Sequence, residues 1–151
     1  MVLSMKENIG KNLLKDFYHN NISYKFAKEN FPYVIEINFL EMPSAVTLFE
    51  NASDSRDILL RISALTDVPM EKGKTLIFFD EVQLCERALT SLKYFCEDAP
   101  QYHVAVAGSL LGISLHQDTS FPVGKVDMIK MYPMTFDEFL MAIGEQPLVD
   151  V

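Results

Sequence analysis

The chain predicts an α/β fold: three layers, with a mainly parallel five-stranded sheet between covering helices. Three observations carry this. Short apolar runs alternate with segments whose apolar residues recur at helical spacing, the pattern of a parallel sheet covered on both faces. Runs such as Thr75–Phe79 (TLIFF) and Tyr102–Ala107 (YHVAVA) are too continuously apolar for a strand with one wet face. Two acids, Asp80 and Glu81, stand directly after the third run, and open α/β sheets bind ligands outside the carboxyl ends of their strands.

Taken in order, Val2–Ser4 reads as the end of a first strand and Tyr33–Phe39 as a second. Between them Leu13, Leu14, Phe17 and Tyr18 keep helical spacing, with a helix broken or extended near Asn20, Asn21 and Ile22. After Ser53 or Asp54 comes a covering helix, with Ile58, Ile62 and Leu65 on one face and Asp57 in the first turn, where a negative charge suits the helix dipole. Pro69–Lys74 is a turn feeding the strand that ends at Asp80. Ala88, Leu89, Leu92, Phe95 and Cys96 mark the apolar side of a second helix, which must stop before Pro100. Tyr102–Ala107 is the fourth strand, bounded by Gly108-Ser109, and Lys125–Met131 the fifth, stopped by Pro133. Thr135-Phe136-Asp137-Glu138 has the form of a capping box, and Met134 and Phe139 are spaced as a hydrophobic staple, so a helix is expected from Phe136 to about Ile143.

The 151 residues form one expected domain, 1–151, of a size that buries roughly two-thirds of the unfolded surface. Hydrophobic residues at 49% and charged residues at 23% belong to a globular chain rather than a disordered one. A net charge of -8 argues against a nucleic-acid surface, which needs clustered Lys and Arg. No stretch has transmembrane length, and Met1–Lys6 lacks the order of a signal peptide, so a cytoplasmic protein is expected. Cys85 and Cys96 have no metal-site spacing and read as reduced core thiols. His19, His103 and His116 are scattered and read as structural.

The chemistry concentrates at Asp80-Glu81. The first carboxylate of such a pair can hold Mg²⁺, directly or through water, and the second can polarise a water for attack on a terminal phosphate. The plainer alternative is a strand end with two solvated acids. Five strands with acids ending the third also fit the P-loop nucleoside-triphosphatase arrangement, which is tested at the first strand-helix junction. There Met5-Lys6-Glu7-Asn8-Ile9-Gly10-Lys11-Asn12 stands where a phosphate loop has G-x-x-x-x-G-K-[ST]. Gly10-Lys11 fits; Met5 and Asn12 do not.

Further residues carry a resemblance. They are Leu76–Gln83 (LIFFDEVQ), Arg87-Ala88-Leu89 with Leu92–Phe95, Ala107–Gly112 (AGSLLG), Ser120–Gly124 (SFPVG) and Tyr132–Leu140 (YPMTFDEFL), with weaker matches at Ile37-Asn38-Phe39 and Leu48-Phe49. On these the chain resembles the AAA-type ATPase core of a large bacterial and archaeal family that usually joins this core to a C-terminal domain of unknown function. The resemblance implies ATP and Mg²⁺ as ligands, with Gly10, Lys11 and Asn12 in the phosphate loop and Lys11 reaching the β/γ-phosphates. It implies that Asp80 holds the metal, Glu81 orients the attacking water and Ser109 senses the γ-phosphate. Ser109 also suits a helix cap. Gln83 is either a second polar contact near the γ-phosphate or, more simply, a surface side chain. Arg87 acts as a finger in a neighbouring subunit or pairs with an acid.

Departures from the family pattern shape what is expected. A residue with a side chain held left-handed, as at Met5, costs roughly 1–2 kcal/mol, against about 8 kcal/mol for micromolar binding. Asn12 replaces the hydroxyl that ligates Mg²⁺, and Lys125 stands where the family commonly has the planar fork of Arg. The chain is expected to lack the family's C-terminal lid and second domain. Two readings follow: an ATP-binding core, weak in hydrolysis or active only as a homo-oligomer or with a completing protein chain, and a degenerate non-hydrolysing remnant acting as a protein-interaction module.

Overall fold

The computed structural model describes residues 2–4, 27–108, 124–129 and 135–142. Five strands, β1 (Val2–Ser4), β2 (Tyr33–Asn38), β3 (Thr75–Asp80), β4 (His103–Ala107) and β5 (Asp127–Ile129), form one sheet in the order β2-β3-β4-β1-β5. The helices are α1 (Ser55–Leu65), α2 (Glu86–Asp98) and α3 (Phe136–Ala142), and 3-10 turns run over Pro43–Phe49 and Val82–Leu84. Residues 27–30 are helical as well.

Parallel pairing is confined to β2, β3 and β4, in the register Asn38↔Asp80 and Phe79↔Val106. β1 is antiparallel to both β4 and β5, with Val2 opposite Ala107 and Ser4 opposite Ala105. The expected mainly parallel five-stranded sheet is therefore corrected to a three-stranded parallel block extended by two antiparallel pairings. A three-residue strand offers few side chains to enforce direction, and antiparallel pairing is slightly the more stable per residue. The consequence is spatial: the chain leaves Ser4 heading away from the sheet edge that carries Asp80.

β3 is buried on both faces because its residues alternate between two cores. Ile77 and Phe79, both fully buried, join Ile35, Ile37, Val104 and Val106 beneath α1 and α2. Leu76 and Phe78 join Ala27 and Ala105 on the opposite face. Around Phe79 the rings of Phe39, Phe49 and Phe95 lie with centroids 6.1, 5.3 and 6.4 Å away, the Phe49 ring edge-on. Such aromatic pairs contribute about 0.5–1.5 kcal/mol each beyond area burial. They fix the strand whose next residue is Asp80.

α1 starts where a cap allows it. Asp54 Oδ1 accepts from the backbone N–H groups of Arg56 and Asp57, both at 2.9 Å, satisfying two of the helix's orphan donors. Ile58 and Ile62 face the core, but Leu65 is 46% exposed, because the last helical residue lies beyond the packed face. Arg61 ties α1 to the preceding turn: it forms a bidentate pair with Asp57 and donates to the carbonyls of Thr47, Leu48 and Glu50 at 3.3, 3.2 and 2.7 Å.

The turn before β3 needs Gly73, whose φ of 75° suits a residue without Cβ, and its N–H donates to the Gln101 carbonyl at 2.8 Å. The fully buried Thr75 hydroxyl closes the same turn, donating to the Pro69 carbonyl and accepting from the Glu71 N–H, each at 2.8 Å. In α2 the buried face is Ala88, Leu89, Ser91, Leu92 and Phe95. Cys85 is the buried thiol, whereas Cys96 is only half-buried, so one of the two expected core thiols lies at the margin; both are free. In α3, Leu140 is buried and Phe136 is 72% exposed. The expected helix at 13–18, His19, His116, the staple residue Met134 and the side chains of Glu138 and Phe139 lie outside the described residues.

Candidate functional site

β2, β3 and β4 all point their carboxyl ends to one edge of the sheet, and Asp80 is half-buried there between the ends of the other two. Its carboxylate is held twice. Oδ2 accepts from Asn38 Nδ2 at 3.0 Å, and Oδ1 accepts from the Glu81 N–H at 2.9 Å. Asn38 is itself fixed, since its Oδ1 accepts from the N–H groups of Leu40 and Glu41 at 2.9 and 3.1 Å. That Asx turn at the end of β2 aims the amide at the next strand.

Glu81 turns the chain sharply. Its backbone is left-handed (φ 52°, ψ 40°), a conformation uncommon for a residue with a side chain and often met at functional sites. The 3-10 turn Val82–Leu84 follows, anchored by the fully buried Val82 and closed by Leu84 N–H to Glu81 carbonyl and Cys85 N–H to Val82 carbonyl bonds, both 2.9 Å. This turn brings residue 83 back over residue 81, and Gln83 Nε2 donates to Glu81 Oε2. Gln83 is thus a half-buried partner of Glu81.

The edge is acidic. Partial burial lifts the Asp80 carboxyl above its ordinary range, the charges of Glu81 and Glu41 add to this, and the Glu81 N–H and Asn38 amide oppose it. Glu36, one pleat back on β2, is raised too, by desolvation first and then by Asp80 and Glu41, with Lys28 opposing. A cation at this edge would relieve both. Among the described residues no group of three or more His, Cys, Asp or Glu side chains is arranged to hold a metal.

Other expected site residues are placed elsewhere or not described. Arg87 is exposed on α2 and lines a cleft of about 340 Å³ with Asn51, Thr90 and Tyr94, a cleft to which Asp80 does not contribute. Lys125 forms a surface ion pair with Glu97 of α2 at 3.4 Å. Ring packing of His103 on Phe31, with centroids 5.0 Å apart, fits its structural reading. Met5, Gly10, Lys11, Asn12 and Ser109 lie outside the described residues. β4 does deliver Ala107 and Gly108 to the same edge as Asp80. The sequence reading missed Asn38 as a partner of Asp80; an Asn closing a strand and followed by a turn was the available signal.

The sequence profile of one family, described as an AAA domain, matches residues 9–140. The chain belongs to the AAA domain family. The family is of the nucleotide-binding, P-loop type, usually with Mg²⁺, and the α/β architecture with its parallel strands agrees with it. The match takes in Gly10, Lys11, Asn12, Asp80 and Glu81 and begins after Met5. No curated protein and no solved structure matches this AAA domain. Among its described residues no helix is long and apolar enough to cross a membrane.

Proposed function

We propose that this AAA domain binds ATP with Mg²⁺ at the Asp80 edge and hydrolyses it weakly to ADP and phosphate, or does so fully only when a second copy or another chain completes the site. The observation that carries the reading is the placing of Asp80 and Glu81: one held by Asn38 at the carboxyl end of a buried parallel strand, the next turned out by a left-handed backbone. In this reading Lys11 draws the β/γ-phosphates, with Gly10 and Asn12 beside it in the loop, and Ser109 meets the γ-phosphate. Asp80 holds the metal, and the bound Mg²⁺ supplies neutralising charge on the phosphates. Glu81 orients a water whose oxygen bonds to the γ-phosphorus as the bond to the β,γ-bridging oxygen breaks, and the water's proton passes toward Glu81. The setting proposed is cytoplasmic.

One observation favours a second reading, a non-hydrolysing AAA domain that serves as a protein-interaction module. β1 runs antiparallel to β4, so at Ser4 the strand points away from the edge that carries Asp80. Phosphate release from Mg-ATP separates the two. The first reading expects turnover in the wild type that Glu81→Gln abolishes while ATP binding persists; equal release by both proteins removes Glu81 from the mechanism.

A further inference from the structure

We propose that Gln83 is a positioning residue for Glu81, fixing the carboxylate that orients the attacking water; this rests on the hydrolytic reading above. Three features converge. Glu81 is held left-handed, so its side chain leaves the sheet edge in a direction a regular strand end would not give. The 3-10 turn that follows is pinned by two core residues, Val82 fully buried and Cys85 2% exposed, so the position of residue 83 relative to residue 81 is set by the core and not by solvent. From that position Gln83 Nε2 donates to Glu81 Oε2, with both side chains half-buried.

The chemistry of the pair is specific. A base works best when a third group orients it, and the orienting group must donate. A primary amide donates without bringing a positive charge to the carboxylate. Gln83 takes Oε2, which leaves Oε1 for the water. The side chain of Asp80 is fixed separately, by Asn38, so each acid of the pair is oriented by its own amide from a different element.

The 151-residue chain tests this with two readouts. The first needs no turnover: Hα–Hβ scalar couplings of Glu81 by NMR, in wild type and Gln83→Ala. One fixed rotamer in the wild type and averaged couplings in the variant are expected, and identical couplings overturn the proposal. The second is steady-state ATP hydrolysis. Gln83→Ala is expected to lower kcat between about 10- and 100-fold, as displaced catalytic groups do, with KM for ATP within about twofold. Gln83→Glu keeps the length but loses both N–H donors and sets a second carboxylate against Glu81, and is expected to be at least as impaired. Full kcat in either variant, with Glu81→Gln inactive, overturns this inference alone. Equal phosphate release by wild type and Glu81→Gln overturns the hydrolytic reading and this inference with it.

Discussion

Replacing Glu81 by Gly and, separately, by Ala isolates the backbone strain at the candidate site. Both changes remove the carboxylate and its bond to Gln83, so that loss cancels in the comparison. What differs is the left-handed backbone, at φ 52°. Alanine keeps a penalty of roughly 1–2 kcal/mol there, which glycine lacks. Glycine in turn loosens the unfolded chain by about 0.4–1 kcal/mol. The balance makes Glu81→Gly more stable than Glu81→Ala by roughly 0–1.6 kcal/mol, centred near 0.8 kcal/mol. For a domain of this size that is about 2–3 °C in thermal midpoint. Urea unfolding measures the difference directly, and both variants are expected to lose phosphate release. An Ala variant more stable than the Gly variant by about 0.5 kcal/mol or more would show that position 81 is not strained, and the argument that the fold holds Glu81 left-handed for a purpose would fall.

Three further outcomes follow from the structure. Because the Asp80 carboxyl is raised above its ordinary 3.8, the folded state holds that proton more tightly than the unfolded chain does, and stability is lost as pH rises from that value through the raised one. The wild type is therefore expected to lose stability relative to Asp80→Asn, which lacks this titration, as pH rises through that window; urea unfolding of both proteins across a pH series checks the sign. Arg61→Ala removes a bidentate pair and three bonds to carbonyls of the 43–50 turn, partly exposed, for an expected loss of about 1–2 kcal/mol in thermal unfolding, and Arg61→Lys recovers little of it for want of the planar fork. A loss under about 0.5 kcal/mol in the Ala variant would make the clamp ornamental.

The elements whose sequence pattern has one physical cause were legible before the structure. The extents of β1, β3 and α2 follow from apolar runs and from Pro100, and the Asp54 cap of α1 from its residue type. Direction was not legible in β1, because a three-residue strand pairs about as well either way round and the choice is made by the neighbouring strands. Leu65 failed because helical periodicity does not say where the packed face ends. At the site, Asp80 and Glu81 were visible as a pair of acids after an apolar run. The partners that orient them were not, since Asn38 reaches Asp80 only through the parallel register of β2 and β3, and Gln83 reaches Glu81 only through a left-handed residue.

The central claim, that the Asp80 edge takes a nucleotide, is tested most directly by calorimetric titration of the whole chain with ATP, with and without Mg²⁺. Lys11→Ala and Asp80→Asn serve as comparisons. The account predicts binding that strengthens with Mg²⁺ in the wild type, is lost in Lys11→Ala, and loses only its Mg²⁺ dependence in Asp80→Asn. No binding by the folded wild type, or equal binding by all three proteins, would contradict it.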